Sequence, residues 1–379
     1  MTTMTNHVLI IGGGVIGLSI ACELHRRGSG RITLIEKSTC GLESSWAAAG
    51  MLSPQADTDE DGPFFDLTIK SRDLYPAFAS WLEDATGIDV GFDQSGTVFL
   101  CLSENDAVHL RKRYEWQRTA GLPIERLDAS DARRMEPFAS PDLREAYLFP
   151  RDWQIDNRRL LTALIKYSEL TEIGIIENTA VDEVVVMGGK AIGVRTAAGD
   201  TIEADEVVIA TGAWTSGIKI SEASVPVKLE PVRGQIVAFQ TAKRVFEHVL
   251  YSRRGYIVPR ADGRVLAGST SERVGFDKGT TSEAAKTITT IAAEIAPSLA
   301  SINLSDQWAG LRPSTLDGLP VLGPIAGMKG LTIATGHYRN GILLAPITAQ
   351  LVADWLIDGV DSPAFTTFGA DRFRFATAG

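Results

Sequence analysis

The stretch "HVLIIGGGVIGLSIACELHRRGSGRITLIEK", His7 to Lys37, limits what this chain can fold into more than any other. Its opening "HVLII" is apolar and β-branched, and it reads as a strand buried on both faces. "GGGVIG" follows and sets Gly12, Gly14 and Gly17 at the G-x-G-x-x-G spacing. Ile16, Ile20 and Leu24 then recur at helical intervals, and "RITLIEK" is a second buried strand ending on Glu36 and Lys37. Strand, glycine turn, helix, strand and terminal acid make a βαβ unit for a dinucleotide. Gly12 permits the tight turn, Gly14 lets backbone approach a pyrophosphate, and Gly17 lets the helix pack close to the sheet. The helix N-terminus presents free N–H groups and positive dipole to phosphate. Glu36 can accept hydrogen bonds from a ribose diol. NAD and FAD are both held in this way, so the motif leaves that choice open.

The rest of the composition narrows the class. Apolar residues make up 44% and charged residues 22%, as in an ordinary globular protein. The net charge of -10, with acids and bases intermixed, argues against nucleic acid or an anionic membrane as partner. Cys22, Cys40 and Cys101 are odd in number and scattered, so neither a disulfide framework nor a zinc site is expected. The opening "MTTMTN" is short and polar, without the marks of a secretory signal. No uninterrupted apolar run reaches the roughly 18 residues of a membrane span. The expectation is a cytoplasmic protein with no transmembrane helix.

Further along, "SSWAAAGMLSPQ" (Ser44 to Gln55) is too small-sided for a core strand and reads as a loop that lets backbone approach something flat. "FDLTIKSRDLYPAFASWLEDATG" reads as an amphipathic helix closed by Gly87. "GTVFLCLSENDAVHLRKRYEWQRTAG" reads as strand, turn and helix. Short strands fill the region up to "EVVIATGAW", a buried strand running into a glycine turn. From Val225 to Gly268 the pattern alternates as in strands. "EAAKTITTIAAEIAPSL" is helical, "LTIATG" is another buried strand, and "GILLAPITAQLVADWLIDG" is a final amphipathic helix. Nucleotide-type segments therefore occur near the start, middle and end. The predicted fold is α/β: a Rossmann-like nucleotide-binding domain, built from 1–85, 151–222 and 311–379. It is interleaved with a second, strand-rich domain built from 86–150 and 223–310. A contiguous NAD-dehydrogenase layout would keep its nucleotide half together.

The opening βαβ unit, "SSWAAAGML", "GYIVPR", "WAGLRPSTLDGLPVLG" and above all "GHYRNGILLAP" resemble the FAD-dependent amine oxidases of the D-amino-acid oxidase superfamily. Within it the sequence looks most like the glycine oxidases of thiamin (thiazole) biosynthesis, over nearly the whole chain. The resemblance implies that the first is an FAD-binding Rossmann-like domain of the glutathione-reductase type and the second an antiparallel-sheet substrate domain, with noncovalent FAD between them. Val15 and Ile16 would line the first phosphate turn, and Glu36 with Lys37 would border the adenosine ribose. Ser44, Ser45, Ala49, Gly50 and Met51 would lie along pyrophosphate and flavin, and Val181 would meet the adenine with its backbone. His337, Tyr338, Arg339, Asn340, Gly341, Ile342 and Leu343 would hold the isoalloxazine edge. Arg312 would clamp the substrate carboxylate with the Tyr256 hydroxyl, and the Arg339 carbonyl would accept from the amine. Met51 and Tyr251 would crowd the substrate. The implied reaction is oxidative deamination of glycine, sarcosine or D-alanine by hydride transfer to flavin, with molecular oxygen as acceptor and hydrogen peroxide as product. A homo-oligomer, a tetramer in the family, is also implied.

The residue chemistry agrees with these assignments. "GHYRNG" lies between strand and helix, where backbone N–H groups can stabilise negative charge on a reduced flavin. Arg312 follows the apolar "WAGL", where an unpaired guanidinium is costly, and its planar fork matches a carboxylate. Tyr256 beside "IVP" and Met51 also suit a core, and His337 can act through its backbone alone. Two features depart from the family: Arg253 and Arg254 stand where neutral or histidine residues are usual, and Ser271 where methionine is. They leave the outer pocket's preference open, including an acidic D-side chain. No cysteine follows Cys101, so the covalent flavin attachment of sarcosine oxidases is not expected. The same fold also serves D-amino-acid dehydrogenases and secondary-amine oxidases. An NAD-dependent dehydrogenase and a non-catalytic flavin-binding protein are rival readings from different functional classes.

Overall fold

The computed structural model describes residues 6–221 and 223–373, so the first five residues of the polar opening lie outside it. The strand Val8–Ile11 is buried along its whole length, as its unbroken apolar run requires. It sits inside a six-stranded sheet between Glu206–Ile209 and Ile32–Ile35, with Ile10 level with Val208 and Leu34. Gly174–Ile176 extends this sheet on one side and Leu331–Thr335 on the other, all parallel; Val321–Pro324 closes the edge antiparallel. The nucleotide-type strands from the start, middle and end of the chain thus share one sheet.

A second sheet has eight strands, in the order Leu304–Ser314, Glu230–Gln240, Arg264–Gly268, Tyr256–Pro259, Val249–Tyr251, Thr97–Cys101, Glu145–Phe149 and Glu125–Asp128. It is antiparallel except where Val249–Tyr251 runs parallel to Thr97–Cys101. Its longest pairing, Glu230–Gln240 against Leu304–Ser314, sets Val232 opposite Arg312 and Gly234 opposite Gly310. The helix Ser282–Ile295 covers this sheet with Ile288, Ala292 and Ile295, and Thr281 caps it by accepting from the Ala284 N–H. A smaller five-stranded sheet contains Val181–Met187.

Two expectations need correction. "SSWAAAGMLSPQ" is not a plain loop: it forms single-turn helices Ser44–Ala47 and Pro54–Asp57 around a short strand, Met51–Leu52, which pairs with Trp153–Gln154. "GILLAPITAQLVADWLIDG" is not the last helix, since Pro363–Phe368 follows, and it is apolar nearly all round: Ile342 to Ala349 are all buried. By length and mean hydropathy, 1.3, the helix Gly341–Asp358 could cross a membrane; here it packs against the helices Val15–Arg26 and Pro63–Thr86.

Pro346 lies inside that helix and has no N–H to give the Ile342 carbonyl four residues back. The buried hydroxyl of Tyr75, from the helix Pro63–Thr86, donates to that carbonyl instead. One turn earlier in that helix, Ser71 Oγ donates to the Leu343 carbonyl at 2.5 Å, and the Ile347 N–H reaches the same Ser71 oxygen at 3.4 Å. Two hydroxyls thus replace the hydrogen bonds the proline disrupts, beside the start of the helix. Tyr75→Phe should cost about 1–3 kcal/mol by leaving a buried carbonyl unpaired. Adding Pro346→Ala returns an N–H to the same carbonyl and should recover part of the loss. Urea midpoints of the two variants and their combination check this; additive losses would show that the hydroxyl and the proline are unconnected.

Candidate active site

A cavity of about 410 Å³ runs from the glycine turn after Val8–Ile11 to the inner face of the eight-stranded sheet. Gly12, Gly14, Val15 and Ile16 line its first end, with Glu36 and Lys37 beside them. Gly12 has φ +112°, and a Cβ there would sit 2.5 Å from the Ala210 carbonyl oxygen. Gly17 is not in the wall. A Cβ on it would lie 1.9 Å from the Gly12 carbonyl oxygen, so this glycine lets the helix approach the strand. Glu36 is buried; one carboxylate oxygen accepts from the Gly13 N–H at 2.8 Å and the other from the Ser38 N–H at 3.0 Å. The second oxygen also accepts from Ser38 Oγ at 3.2 Å, so the oxygen on Gly13 is the one that keeps capacity for another donor. The Lys37 ammonium lies 3.3 Å from the centroid of the Trp214 ring, and Trp214 and Val181 also line the cavity.

The small residues form the middle. Ser45 Oγ accepts from the Val15 N–H at 3.0 Å, and Ser44 Oγ donates to the Leu311 carbonyl. Gly50, at φ +71°, approaches so closely that a Cβ would lie 2.0 Å from the Ile155 carbonyl oxygen. Buried Arg260 donates to the Ala49 carbonyl and to Gln154 Oε1, each at 2.8 Å. Arg158 lies 3.5 Å from the Trp46 ring centroid and 4.3 Å from that of Trp308, joining this segment to the eight-stranded sheet. Ser44, Ser45, Ala49, Gly50 and Met51 all reach the wall.

His337, Tyr338, Arg339, Asn340, Gly341 and Ile342 form a tight corner on the opposite wall. The Asn340 N–H donates to the His337 carbonyl at 2.8 Å, and the Tyr338 N–H donates to the Pro313 carbonyl at 3.1 Å with Tyr338 at φ +47°. Leu343 lies behind the wall in the core. The His337 ring is buried against Thr348 Oγ1 at 3.1 Å, and burial pushes its pKa down to about 3.

At the far end Arg312 lies flat on Gly234, where a Cβ would stand 2.1 Å from its Nη1. Its Nη1 donates to the Thr270 carbonyl at 3.0 Å and its Nη2 to Ser269 Oγ at 2.8 Å. Among the described residues no carboxylate pairs with it, and burial, with the Arg339 charge adding to it, holds its pKa below the ordinary arginine value. Tyr256 and Tyr251 stack beside it, ring centroids 6.2 Å apart. Arg339 is compensated: its Nη2 lies 3.8 Å from Asp57 Oδ1 and 3.4 Å from the Tyr251 hydroxyl, which donates to Asp57 at 2.7 Å. Asp57 and Gly234 both line the cavity, and sequence reasoning missed them. Gly234 left one signal, a glycine inside a long strand, which marks close approach. Asp57 left none, because its partners come from Tyr251 and Arg339.

The pattern of the FAD dependent oxidoreductase family, DAO, matches residues 7–355. The chain belongs to that family. It is 36% identical to the glycine oxidase of Geobacillus kaustophilus, over 92% of each chain. It is 34% identical to the bifunctional protein ThiO/ThiG of Trichormus variabilis over 98% of its own length, but spans only 56% of that relative. The crystal structure of the Bacillus cereus glycine oxidase superposes with a TM-score of 0.89 at 32% identity, covering 96% of this chain and 98% of that one.

FAD is the cofactor, and the walls fit a dinucleotide: glycine backbone without side-chain obstruction at one end, and small residues facing a tight corner of backbone further along. Cys22, Cys40 and Cys101 are buried and none lines the cavity. Acid precipitation should therefore leave a colourless pellet and a yellow supernatant; colour kept by the denatured chain would refute noncovalent binding.

His337 makes a second prediction. Its folded pKa of about 3 lies below the unfolded 6.5, so the unfolded chain takes up the proton first as pH falls. The stability it protects is present above 6.5 and lost on acidification toward 3. The stability difference between wild type and His337→Gln should shrink by roughly 1 kcal/mol between pH 6.5 and 5.5. Urea titrations at the two pH values measure this, and a constant difference would mean that His337 titrates normally.

Proposed function

We propose that this protein catalyses the FAD-dependent oxidative deamination of glycine and other small amino acids, including sarcosine and D-alanine. The observation that carries this reading is Arg312: a part-buried guanidinium with no acidic partner among the described residues, at the end of the cavity away from the dinucleotide turn. It calls for an anion from outside the chain. Glycine, water and oxygen would give glyoxylate, ammonia and hydrogen peroxide. The names of the relatives support the substrate, and a role in supplying thiazole synthesis goes with it.

Bound in the cavity, FAD supplies the hydride acceptor. The chain's own part is binding and orientation. Arg312 takes the substrate carboxylate in its fork, with the Thr270 carbonyl and Ser269 Oγ fixing the guanidinium plane. The Tyr256 hydroxyl adds a donor, and the Arg339 carbonyl accepts from the amine. His337, with a pKa near 3, is too weak a base to draw a proton at neutral pH, which suits a reaction driven by orientation. Met51 and Tyr251 line the cavity that Arg312 enters, and the resemblance assigns the free substituent direction to the D-hand. Peroxide release under air separates this reading from a quinone-linked D-amino-acid dehydrogenase, and a substrate panel separates it from a secondary-amine oxidase.

The assembly in this reading is a homo-oligomer, a tetramer as in the family, working in the cytoplasm without nucleic acid or membrane. The FAD-binding domain comprises 1–85, 151–222 and 311–379, and the substrate domain 86–150 and 223–310. The strand Leu304–Ser314 crosses the last boundary and so carries Arg312 to the seam.

Truncating one partner of a desolvated charge pair costs about 2–5 kcal/mol, or roughly 30-fold to several thousand-fold in kcat/KM. Arg312→Ala should lose that much with glycine while the protein stays yellow. Tyr256→Phe removes one hydrogen bond to a charged group and should cost about 1.5–3 kcal/mol. Wild-type kcat/KM in Arg312→Ala would sink the substrate pose.

A further inference from the structure

A second cavity, of about 220 Å³, borders the substrate end of the first. The two share Tyr251, Tyr256, Ser269, Arg312, Tyr338 and Arg339, so a molecule held by Arg312 faces both. Beyond these shared residues its wall is the turn Ser252 to Gly255 and the hydroxyl-rich segment Thr270 to Ser271. The turn is braced: Ser252 Oγ accepts from the Arg254 N–H at 3.3 Å, and the Ser252 N–H donates to the Gly255 carbonyl at 2.8 Å. Gly255 backs onto the sheet, where a Cβ would lie 2.5 Å from the Gly268 carbonyl oxygen. The turn therefore presents Arg253 and Arg254 at the mouth on a fixed backbone.

The charges decide what this space can hold. Four arginines line it, and two are compensated: Arg339 by Asp57, and Arg254 by Glu294. The acid nearest in sequence to the hydroxyl segment, Glu272, pairs with Arg233 and accepts from Thr270 Oγ1. Arg312 and Arg253 make no ion pair among the described residues. One contiguous space thus holds two uncompensated cations, one part-buried and one at the mouth, among hydroxyls and a paired Asp57. Such a space favours a molecule with two anionic groups over one with a single anion.

We propose that this outer cavity is a subsite for a second anionic group on the substrate, with Arg253 as its specificity-determining residue, so that small amino acids bearing a second carboxylate or an equivalent anion are substrates. The inference rests on the amino-acid oxidation proposed for the main cavity. With the α-carboxylate on Arg312, two attachments can send the second anion outward: a substituent on the amine nitrogen, or a D-side chain.

Isosteric pairs test this in the holoenzyme. Peroxide release is measured with iminodiacetate against its monoamide, and with D-aspartate against D-asparagine. The acid-to-amide ratio of kcat/KM should exceed one for at least one pair. It should fall about three- to tenfold in Arg253→Ala, the range for an exposed to partly desolvated charge contact. Added salt should lower it as well, because the contact is at the mouth. Turnover of glycine, which is too short to reach Arg253, should stay at the wild-type level. A raised ratio in the first pair alone places the anion on nitrogen, and in the second alone on the D-side chain. Ratios of one or less in both pairs, or ratios unmoved by Arg253→Ala, overturn the proposal. Binding of succinate against succinamate, read from the visible spectrum of the bound flavin, gives a second measurement that needs no turnover. Should glycine fail as a substrate, the amine-oxidase reading fails. The subsite is then judged by whether succinate binds more tightly than succinamate and loses that advantage in Arg253→Ala.

Discussion

Arg312 reaches the seam between the two large sheets with no carboxylate among the described residues paired to it, and the surrounding structure is arranged to keep it there. A guanidinium taken out of water needs hydrogen bonds even where it lacks a counter-charge. Thr270 and Ser269 supply two of them, both neutral, so the positive charge is held in place without being cancelled. Gly234 gives it a flat bed on the neighbouring strand, where any side chain would take the space of the guanidinium. The long pairing of Glu230–Gln240 with Leu304–Ser314 fixes Gly234 two residues along its strand from the position opposite Arg312. Register, a missing side chain and two neutral acceptors together hold the guanidinium at the cavity wall with its charge uncancelled.

The other wall is held by a comparable exchange. Pro346 disrupts the hydrogen-bond ladder one turn into its helix, close to the corner of backbone that faces the flavin end of the cavity. Tyr75 and Ser71 repair the break from the helix Pro63–Thr86, a segment with no nucleotide motif of its own. The corner is thereby tied to an element more than 250 positions away in the chain, since |i−j| is 267 for the Tyr75 bond. His337 contributes to the same rigidity as a buried neutral ring on Thr348.

The nucleotide half was legible because its signals are local. The apolar run, the glycine spacing and the terminal Glu36 lie within one βαβ unit, and each has a steric reason that needs no distant partner. The corner at His337 was legible through the family resemblance, and the cavity reaches it as far as Ile342; Leu343 turns inward to the core. Gly17 has the spacing of a phosphate-turn glycine but acts one layer back, against the Gly12 carbonyl. Small residues from Ser44 onward suggested a loop because composition alone cannot show that Arg158, Trp46 and Trp308 stack to fix them. Asp57 was illegible for the same reason: its importance lies in Tyr251 and Arg339, and |i−j| is 194 for the first of these contacts.

Two arginines, Arg312 and Arg339, enter the same cavity, and their partners separate their roles. Asp57 answers the charge of Arg339 and, through the Tyr251 hydroxyl, fixes both side chains in one network. That side chain is then a poor anchor for an incoming anion, because binding one would bring it close to Asp57. Its backbone carbonyl is unaffected by the pairing and, in the proposed pose, would still accept from the amine. Arg312 has the reverse balance: its hydrogen bonds are neutral and its charge is unanswered. The cavity therefore has a cation at one side and a paired, nearly neutral surface at the other. In the proposed reading that polarity would orient a substrate carboxylate toward Arg312 before any contact specific to the reaction has formed.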